Sequence, residues 1–358
     1  MPLPSGSLLE LTPEGLYCRA AEAWIDPWRP VPRALITHAH ADHARPGCGE
    51  YWAIGTSETI LRQRLGAGIR LIPVEYGALH RIGDARVSFH SAGHVLGSAQ
   101  IRLEAAGERW LVSGDYKRCA DPSCTPFEPV SADVFITEAT FGLPIYRWQS
   151  GAAVAREILQ WWQAAPERPS ILFAYAFGKA QRLLAELAAI GVGQRGEPAD
   201  EVLLHGAVEA LMAAYRQADV PLPPTRPLSA LSKGDSLAGR LVIAPPAARR
   251  SPWMRRFKLP QTAFVSGWMA VRGARRRRGH ERGIVLSDHA DWPGLIRSVK
   301  GSGARQIYVT HGNSDGLARY LREVEGISAE PLEGDFASEF GDEPVETATT
   351  PWRKLEDS

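Results

Sequence analysis

The apolar run ALIT, residues 34–37, is followed at once by His38, His40, Asp42 and His43. Its length and composition predict a buried strand, with the four side chains on a turn that leads into a helix. Imidazoles and a carboxylate are the ligands that zinc and similar divalent ions take in proteins. The HxHxDH spacing lets one pair of side chains serve one ion and the second pair a neighbouring ion. A lone histidine in such a place is usually solvated, but four ligand types in six positions predict a two-metal site.

Further ligand types follow later apolar runs. His94 lies in SAGHVLGSAQ, Asp115 in LVSGDYKR and His311 in YVTHGNSD. A carboxylate such as Asp115 can bridge two cations and reduce their mutual repulsion. Each of these residues alone would usually be structural, but together with the first motif they predict a ligand set gathered at the ends of strands.

The pattern of the chain changes twice along its length. The first 140 residues alternate short apolar runs with turn signals, which predicts strands in LLEL, LYCRA, ALIT, YWAIG, RLIPV, ARVSFHSAG, AQIRLE, RWLVSGD and DVFITEA. Helical spacing begins at Gly151, in AAVAREILQWWQAA, and continues in KAQRLLAELAAI and AVEALMAAYRQAD, with the strand-like SILFAYAF between the first two. Strand-like runs then return in RLVIAPP, TAFVSG, GIVLSDHA and QIYVTHG. We therefore expect a second or inserted domain to begin near Leu143.

Composition limits the classes of protein that the chain can represent. Its 358 residues, 44% of them hydrophobic, can form one large domain or two ordinary ones. No apolar run approaches the roughly 20 residues of a membrane span, and residues 1–20 lack the pattern of an export signal. The 4 cysteines form no CxxC pair, which favours reduced thiols. We expect a soluble cytoplasmic protein with no membrane partner.

Charge is spread unevenly over the chain. The net charge of +1 argues against a uniformly basic surface, yet VRGARRRRGHERG concentrates arginines. Such a run is often only a solvated loop. Its place between two predicted strands near the metal ligands favours contact with phosphates instead. The predicted nucleic-acid contacts are Arg272, Arg275, Arg276, Arg277, Arg278, Lys117 and Lys179, with Arg118 and Arg182 as extensions and Trp148 or Trp268 for base stacking.

The segments THAHADH, GHVLGS and SGDY resemble the successive signature motifs of the metallo-β-lactamase superfamily. The resemblance implies an α/β fold, a four-layer αββα sandwich. It also implies that His38, His40 and His94 bind the first metal ion and that Asp115 bridges to the second. Asp26 in AWIDP matches an aspartate that supports the site without binding metal. The second ion would then take Asp42, His43 and His311, with Asp42 and Asp115 also placed to orient a water molecule.

Four other segments, TEATFG, YAFGKAQ, LSDHADW and VTHG, resemble landmarks of the β-CASP branch, the nucleases of DNA repair and RNA processing. Glu138, His289 and His311 would be its landmark residues, with Glu138 supporting His289 and His289 acting as general acid. The implied organisation is a metallo-β-lactamase domain in two parts, residues 1–142 and 265–340, around a β-CASP insertion at 143–264, followed by a flexible tail at 341–358. The segments LTPEGLYC, IDPWRPV, HAHADHARPG, GDYKR and FGLPIYRW resemble the bacterial DNA-ligase-associated exonuclease family.

The resemblance implies a nuclease that hydrolyses phosphodiesters with two divalent ions, zinc or manganese. The ligase-associated segments favour a DNA exonuclease of repair with 5′ to 3′ polarity, and a functional association with an ATP-dependent DNA ligase. At the third landmark, DNA-acting members in cross-link repair usually carry valine, whereas His311 is typical of RNA-processing members, so an RNA exonuclease or endonuclease is the alternative. A thioester or lactone hydrolase of the same fold is a third possibility. A binding module without metal is disfavoured because every expected ligand is present.

Overall fold

The structure is a computed structural model that describes residues 3, 4, 6–194, 201–232, 234–271 and 281–334. The strands are β1 Leu9–Thr12, β2 Gly15–Cys18, β3 Ala23–Ile25, β4 Arg33–Leu35, β5 Glu50–Ile54, β6 Leu71–Val74, β7 Leu79–Ile82, β8 Ala85–Ser91, β9 Ala99–Ala105, β10 Glu108–Val112, β11 Val134–Glu138, β12 Ser170–Phe173, β13 Val202–Leu204, β14 Thr225–Pro227, β15 Leu241–Ala244, β16 Gln261–Val265, β17 Arg282–Ile284, β18 Gln306–Thr310 and β19 Ser328–Pro331. The α-helices are α1 Glu58–Leu65, α2 Gly151–Gln163, α3 Lys179–Ala189, α4 Gly206–Gln217, α5 Trp292–Ser302 and α6 Ser314–Glu323.

Two mixed sheets share one apolar core. The first sheet has the order β1-β2-β3-β4-β5-β6, and the second has the order β19-β18-β11-β10-β9-β8-β7. A single buried cluster joins Leu16 and Leu35 of the first sheet to Phe89 and Ile101 of the second. The apolar faces of the two sheets therefore pack against each other.

Helices cover the outer faces of these two sheets. Along β10, Trp110 points into the core shared by the sheets, whereas the next residue, Leu111, belongs to a cluster with Leu295 of α5 and Leu317 of α6. This alternation is the two-residue period of a strand that is buried on both faces. On the outer face of the first sheet, α1 packs through Ile60.

The third sheet is wholly parallel, with the order β14-β13-β15-β12-β16-β17. Strands β12, β13 and β15 are buried at every residue, because α2, α3 and α4 cover one face and the short helical turns at 252–256 and 267–270 help to cover the other. In the sequence, all strands of this sheet come after β11 and before β18. These two flanking strands are hydrogen-bonded neighbours in the second sheet. We call residues 151–284, where described, the parallel-sheet unit.

The strands and helices predicted above from quoted segments are confirmed, but the helix predicted directly after the histidine turn is wrong. The predicted end of the insertion at residue 264 falls inside β16, and β17 extends the parallel sheet to Ile284. The turn after β4 leads into β5, and in the described part of the chain the first α-helix begins at Glu58. Short strands such as β3, β7, β14 and β19 and the helices α5 and α6 were not predicted. The predicted tail at 341–358 lies outside the described residues.

Two further expectations concern membranes and disulfides. None of the helices in the described ranges combines the length and apolar character that crossing a bilayer requires. Cys18, Cys48, Cys119 and Cys124 are all unpaired thiols, as the absence of CxxC pairs predicted.

Candidate metal centre

The predicted ligand side chains lie on loops beyond the carboxyl ends of strands. The histidine-rich turn follows β4, His94 follows β8, Asp115 follows β10, and His311 comes directly after β18. Because β10, β11 and β18 are parallel neighbours, their carboxyl ends lie on one edge of the second sheet. That edge is where residues far apart in sequence meet.

The first group consists of His38, His40, His94 and Asp115, whose ligand atoms all lie within 4.8 Å of one another. His40 Nδ1 is 2.9 Å from His38 Nε2 and 3.2 Å from His94 Nε2. Asp115 Oδ2 is 3.6 Å from His38 Nε2 and 3.7 Å from His94 Nε2. Ligands at about 2.0–2.1 Å around a tetrahedral zinc ion stand about 3.3 Å apart, so these four atoms are spaced for such an ion.

The second group consists of His43, Asp115 and His311, again with ligand atoms within 4.8 Å of one another. His43 Nε2 is 3.5 Å from Asp115 Oδ2 and 3.8 Å from Asp42 Oδ2. The imidazoles of His43 and His311 are stacked, with ring centroids 5.6 Å apart. Asp115 is common to both groups, so its carboxylate could contact an ion in either, and Asp42 lies at the edge of the second.

Asp26 supports the second group through hydrogen bonds to Thr37 and His43. Its Oδ1 accepts a hydrogen bond from the Thr37 backbone N–H at 2.8 Å, and its Oδ2 accepts from the Thr37 hydroxyl at 2.5 Å and from His43 Nδ1 at 2.7 Å. A carboxylate can only accept, so His43 carries its proton on Nδ1 and presents Nε2 to the second group. Asp26 makes these contacts at a φ of +43°, a strained backbone conformation.

A third group joins Asp115 to Glu138 and His289. His289 Nδ1 is 3.0 Å and 2.9 Å from the two oxygens of Glu138 and donates its proton to that carboxylate. Glu138 is itself fixed by the backbone N–H of Tyr116 at 2.9 Å and by that of Thr140 at 3.3 Å. The carboxylate therefore sets the orientation of the His289 ring.

Two orphaned polar atoms test whether metal ions fit these groups. Among the described residues, buried His43 Nε2 and buried Asp115 Oδ1 have no hydrogen-bond partner. A buried polar atom without a partner costs about 1–3 kcal/mol, so such atoms in native proteins usually have a ligand. Both atoms belong to residues of the second group, which fits a site for a cation.

The pKa values of the candidate ligands show which of them are ready to bind a cation at pH 7. Burial, together with neighbouring histidines, holds the pKa of His38 and of His94 well below the usual value, so both are neutral at pH 7 as metal ligands must be. Burial raises the pKa of Asp115 despite the nearby histidines. Burial alone would lower the pKa of His43, but the surrounding carboxylates, Asp115 first, raise it to about 10. His43 is therefore positively charged at pH 7, and a cation that binds to its Nε2 would have to displace a proton from that nitrogen.

The structure contradicts the predicted nucleic-acid contacts at Lys117 and Lys179. Lys117 pairs with Asp121, and Lys179 Nζ lies 2.7 Å from Asp288 Oδ2. All four side chains are buried, with relative exposures of 0–6% in Lys117, Lys179, Asp121 and Asp288. A lysine enclosed with its counter-ion cannot reach a phosphate in solvent, so both predictions are wrong. Arg182, suggested as an extension, is buried in the same place.

The other predicted nucleic-acid contacts include five arginines and two tryptophans. Arg272, Arg275, Arg276, Arg277 and Arg278 lie outside the described residues. Trp148 and Trp268 are half-buried around Phe141, each with its ring centroid 4.8 Å from that of Phe141. Trp148 Nε1 donates to the backbone carbonyl of His289 at 2.9 Å, so this aromatic cluster adjoins the third group.

Sequence reasoning missed two residues that position the site. Thr37 links Asp26 to the histidine turn, and its only signal is its place directly before His38. Asp288 receives Lys179 and Arg182 in a buried ion cluster, and its signal is its place directly before His289. In each case the residue is visible within a sequence motif, but Asp26 in the first case and Lys179 and Arg182 in the second lie outside that motif and cannot be read from it.

Comparison with known proteins gives relatives of two kinds. The chain is 32% identical over 336 residues to a protein named probable DNA ligase from Opitutus terrae, a match that covers 91% of this chain and 31% of that protein. It is 39% identical over 75 residues to the endoribonuclease YSH1 of Kluyveromyces lactis, and 32% identical over 116 residues to that of Aspergillus fumigatus. These matches cover 20% and 31% of this chain and 10% and 13% of the two relatives. The chain thus spans less than a third of the length of each.

A solved structure is similar to the chain in fold. A protein of unknown function from Enterococcus faecalis has a TM-score of 0.57 at 10% identity, over 85% of this chain and 80% of the other, which shows a similar fold. No family model matches the chain. The motifs THAHADH, GHVLGS, SGDY and LSDHADW and the relatives together show that the chain belongs to the metallo-β-lactamase superfamily, in its β-CASP branch.

Proposed function

We propose that this protein is a two-metal nuclease that hydrolyses phosphodiesters in DNA, as a 5′ to 3′ exonuclease of DNA repair. The observation that carries the proposal is Asp115, which belongs at once to the first group, to the second group and to the Glu138–His289 pair. This position of Asp115 supports a site where two cations bind next to a residue that can transfer a proton. Phosphodiester hydrolysis needs both.

The proposed ligands follow from the two groups. His38, His40, His94 and Asp115 hold the first ion, and His43, Asp115 and His311 hold the second, with Asp42 at its edge. Imidazole and carboxylate ligands suit either zinc or manganese. Bound ions would supply the positive charge that stabilises the phosphoryl oxygens and makes an attacking water more acidic.

The protein's own residues supply the proton chemistry. His289 donates Nδ1–H to Glu138, so Nε2 is the nitrogen that carries a proton to the leaving oxygen. The Glu138 carboxylate stabilises the protonated imidazole that this role requires. Asp42, half-buried beside His43, accepts a hydrogen bond from the attacking water.

We infer that the first two sheets with α1, α5 and α6 are the four-layer αββα sandwich and that the parallel-sheet unit is the β-CASP insertion. Support comes from the core shared by the two sheets and from the position of the unit between β11 and β18. Arg272 and Arg275, Arg276, Arg277 and Arg278 are proposed to bind backbone phosphates of the substrate. Replacing the four consecutive arginines with alanine should then reduce the dependence of strand binding on salt.

DNA is proposed over RNA because the long match is to a protein named probable DNA ligase, which also supports a functional association with such a ligase. RNA is the second candidate, and two observations favour it. His311 stands at the third landmark, and the shorter matches are to proteins named endoribonuclease.

The deciding experiment incubates the purified protein with DNA and RNA strands labelled at either end, with zinc or manganese. We expect mononucleotides released from the 5′ end of DNA, and no release by Asp115→Asn, which should also lose metal. The Asp84→Asn variant is the matched control, because this exposed carboxylate precedes β8 whereas His94 follows the other end of that strand. Turnover of a thioester with no cleavage of either nucleic acid would refute the proposal.

A further inference from the structure

The parallel-sheet unit reaches the first metal group through two backbone carbonyls. His94 Nδ1 lies 2.7 Å from the carbonyl oxygen of Asp288, four residues beyond the end of β17. His40 Nε2 lies 3.4 Å from the carbonyl oxygen of Phe177, four residues beyond the end of β12. The carboxyl edge of the parallel sheet therefore faces these two histidines.

These contacts determine which nitrogen of each ring can bind a metal. A carbonyl oxygen only accepts, so His94 is protonated on Nδ1 and His40 on Nε2. The lone pairs then lie on His94 Nε2 and His40 Nδ1, which are the two nitrogens 3.2 Å apart in the first group. The opposite tautomer of either ring would present a proton to the ion instead of a lone pair.

A buried ion cluster holds both carbonyls where they are. It contains Lys117, Asp121, Lys179, Arg182, Glu186 and Asp288, three positive and three negative side chains. The Asp288 carboxylate pairs with Lys179 at 2.7 Å and with Arg182 at 3.2 Å, and Arg182 also donates to the carbonyl of Ser287. Lys179 begins α3 two residues after Phe177, so the same pairs fix both segments.

We propose that the parallel-sheet unit selects the tautomers of His40 and His94 through the carbonyls of Phe177 and Asp288, which the buried ion cluster positions, and that it thereby sets the zinc affinity of the first group. The inference rests on the metal centre of the proposed function. Asp288, Lys179 and Arg182 are positioning residues, because they act on the ion only through the histidines.

The experiment compares zinc affinity, by chelator competition, in wild type and three variants. Asp288→Asn removes one negative charge from the cluster at the carbonyl that orients His94. Glu186→Gln removes one negative charge from the same cluster at Arg182, where the contact is 3.6 Å and no histidine is bonded. We expect about a 10- to 100-fold weaker first zinc in Asp288→Asn, the usual effect of losing a partner behind a ligand, and a change of less than about threefold in Glu186→Gln.

A double variant tests whether Asp288→Asn weakens zinc binding only because the single variant fails to fold. Asp288→Asn leaves buried positive charge uncompensated, whereas Asp288→Asn with Lys179→Met removes one charge of each sign. If positioning matters, the double variant should fold and still bind the first zinc weakly. Wild-type affinity in the folded double variant, or an equal loss in Glu186→Gln, would overturn the inference, because charge balance alone would then explain the data.

A second readout needs no metal, and its wild-type arm needs no variant. Imidazole nitrogen NMR shifts of the metal-free wild type should show His94 protonated on Nδ1, and the double variant should show a mixture of tautomers. A wild-type His94 protonated on Nε2 would contradict the inference. Wild type that binds no zinc would overturn the metal centre and this inference together, whereas normal zinc binding without hydrolysis of nucleic acid would contradict only the nuclease proposal.

Discussion

At the scale of single residues, Asp26 is proposed to support metal binding by His43 without binding the ion itself. It accepts three hydrogen bonds, one of them from His43. Replacing it with asparagine removes the negative charge and puts an amide donor where only an acceptor fits. We expect Asp26→Asn to weaken the second zinc by about 10- to 100-fold and the first much less. Stepwise zinc titration measures both, with Asp84→Asn as the control, and equal weakening of the two ions would contradict the assignment.

His289 gives a prediction that separates proton transfer from metal binding. Because it is assigned to protonate the leaving oxygen, His289→Ala should keep both ions but lose about 10²-fold or more in the rate of DNA cleavage. The loss should be smaller on a nitrophenyl phosphodiester, whose leaving group needs no proton. The metal content of the variant and its rates on DNA and on the nitrophenyl phosphodiester test this assignment. A variant that loses an ion, or slows equally on both substrates, would make His289 a ligand or a support.

Some residues of the candidate site could be predicted from the sequence, whereas the roles of others could not. His38, His40, Asp42 and His43 were recognisable because their spacing in one short turn is itself unusual, and the fold gathers them as a local motif would suggest. Lys117 and Lys179 were misread because charge is visible in a sequence whereas burial is not. Their partners, Asp121 and Asp288, decide their role, and Asp288 is 109 positions from Lys179.

At the scale of elements, Gly178 decides how closely α3 approaches the first metal group. Its φ is +84°, and a Cβ there would lie 2.4 Å from Val95 Cγ1 and 3.8 Å from His40 Nε2. We expect Gly178→Ala to destabilise the protein by about 1–3 kcal/mol, from backbone strain and overpacking, and to weaken zinc binding by shifting the Phe177 carbonyl. Urea unfolding and zinc titration measure these two effects.

The matched control is Gly206→Ala in the first turn of α4. A Cβ at Gly206 meets nothing within 4 Å, so alanine should leave stability unchanged or raise it by up to about 1 kcal/mol. If Gly178→Ala behaves like Gly206→Ala, the close approach of α3 has no effect on the site.

Elements were predictable where a residue pattern within one segment determines them. The run SILF reads as a buried strand and becomes β12, and the spacing of VAREILQWW reads as the amphipathic helix α2. The continuation of the parallel sheet to Ile284 could not be predicted, because β17 belongs to this sheet only through its pairing with β16, which lies across a long connection. The three residues of β17 carry no sequence pattern that would reveal this pairing.

At the scale of the whole molecule, the buried ion cluster predicts how stability depends on pH. Burial alone would raise the pKa of Asp288, but Lys179 and Arg182 outweigh it and hold the pKa well below the usual range. The pKa of Asp121 is likewise lowered, against burial, by Lys117 and Arg182. An aspartate with a depressed pKa stabilises the fold fully above its unfolded value, about 3.9, and this contribution is lost as pH falls further.

We therefore expect the free energy of unfolding to fall below about pH 4 by about 1.4 kcal/mol per pH unit for each of these two carboxylates. Urea unfolding at several pH values measures the slope. The double variant Asp288→Asn with Lys179→Met, which lacks one of the carboxylates, should show a slope smaller by about that amount. The same slope in both proteins would mean that Asp288 titrates normally in the fold.

The neighbouring positions of β11 and β18 in the second sheet have a consequence for synthesis on the ribosome. About 170 residues separate the two strands, and at about 5–20 residues per second β11 waits roughly ten to thirty seconds for its partner. Meanwhile β11, buried at every residue in the finished sheet, has an open edge that can pair with other chains. All four residues of the first group are synthesised before the parallel sheet begins, whereas His311 emerges directly after β18, so the nascent chain can complete the second group only after the parallel sheet is made.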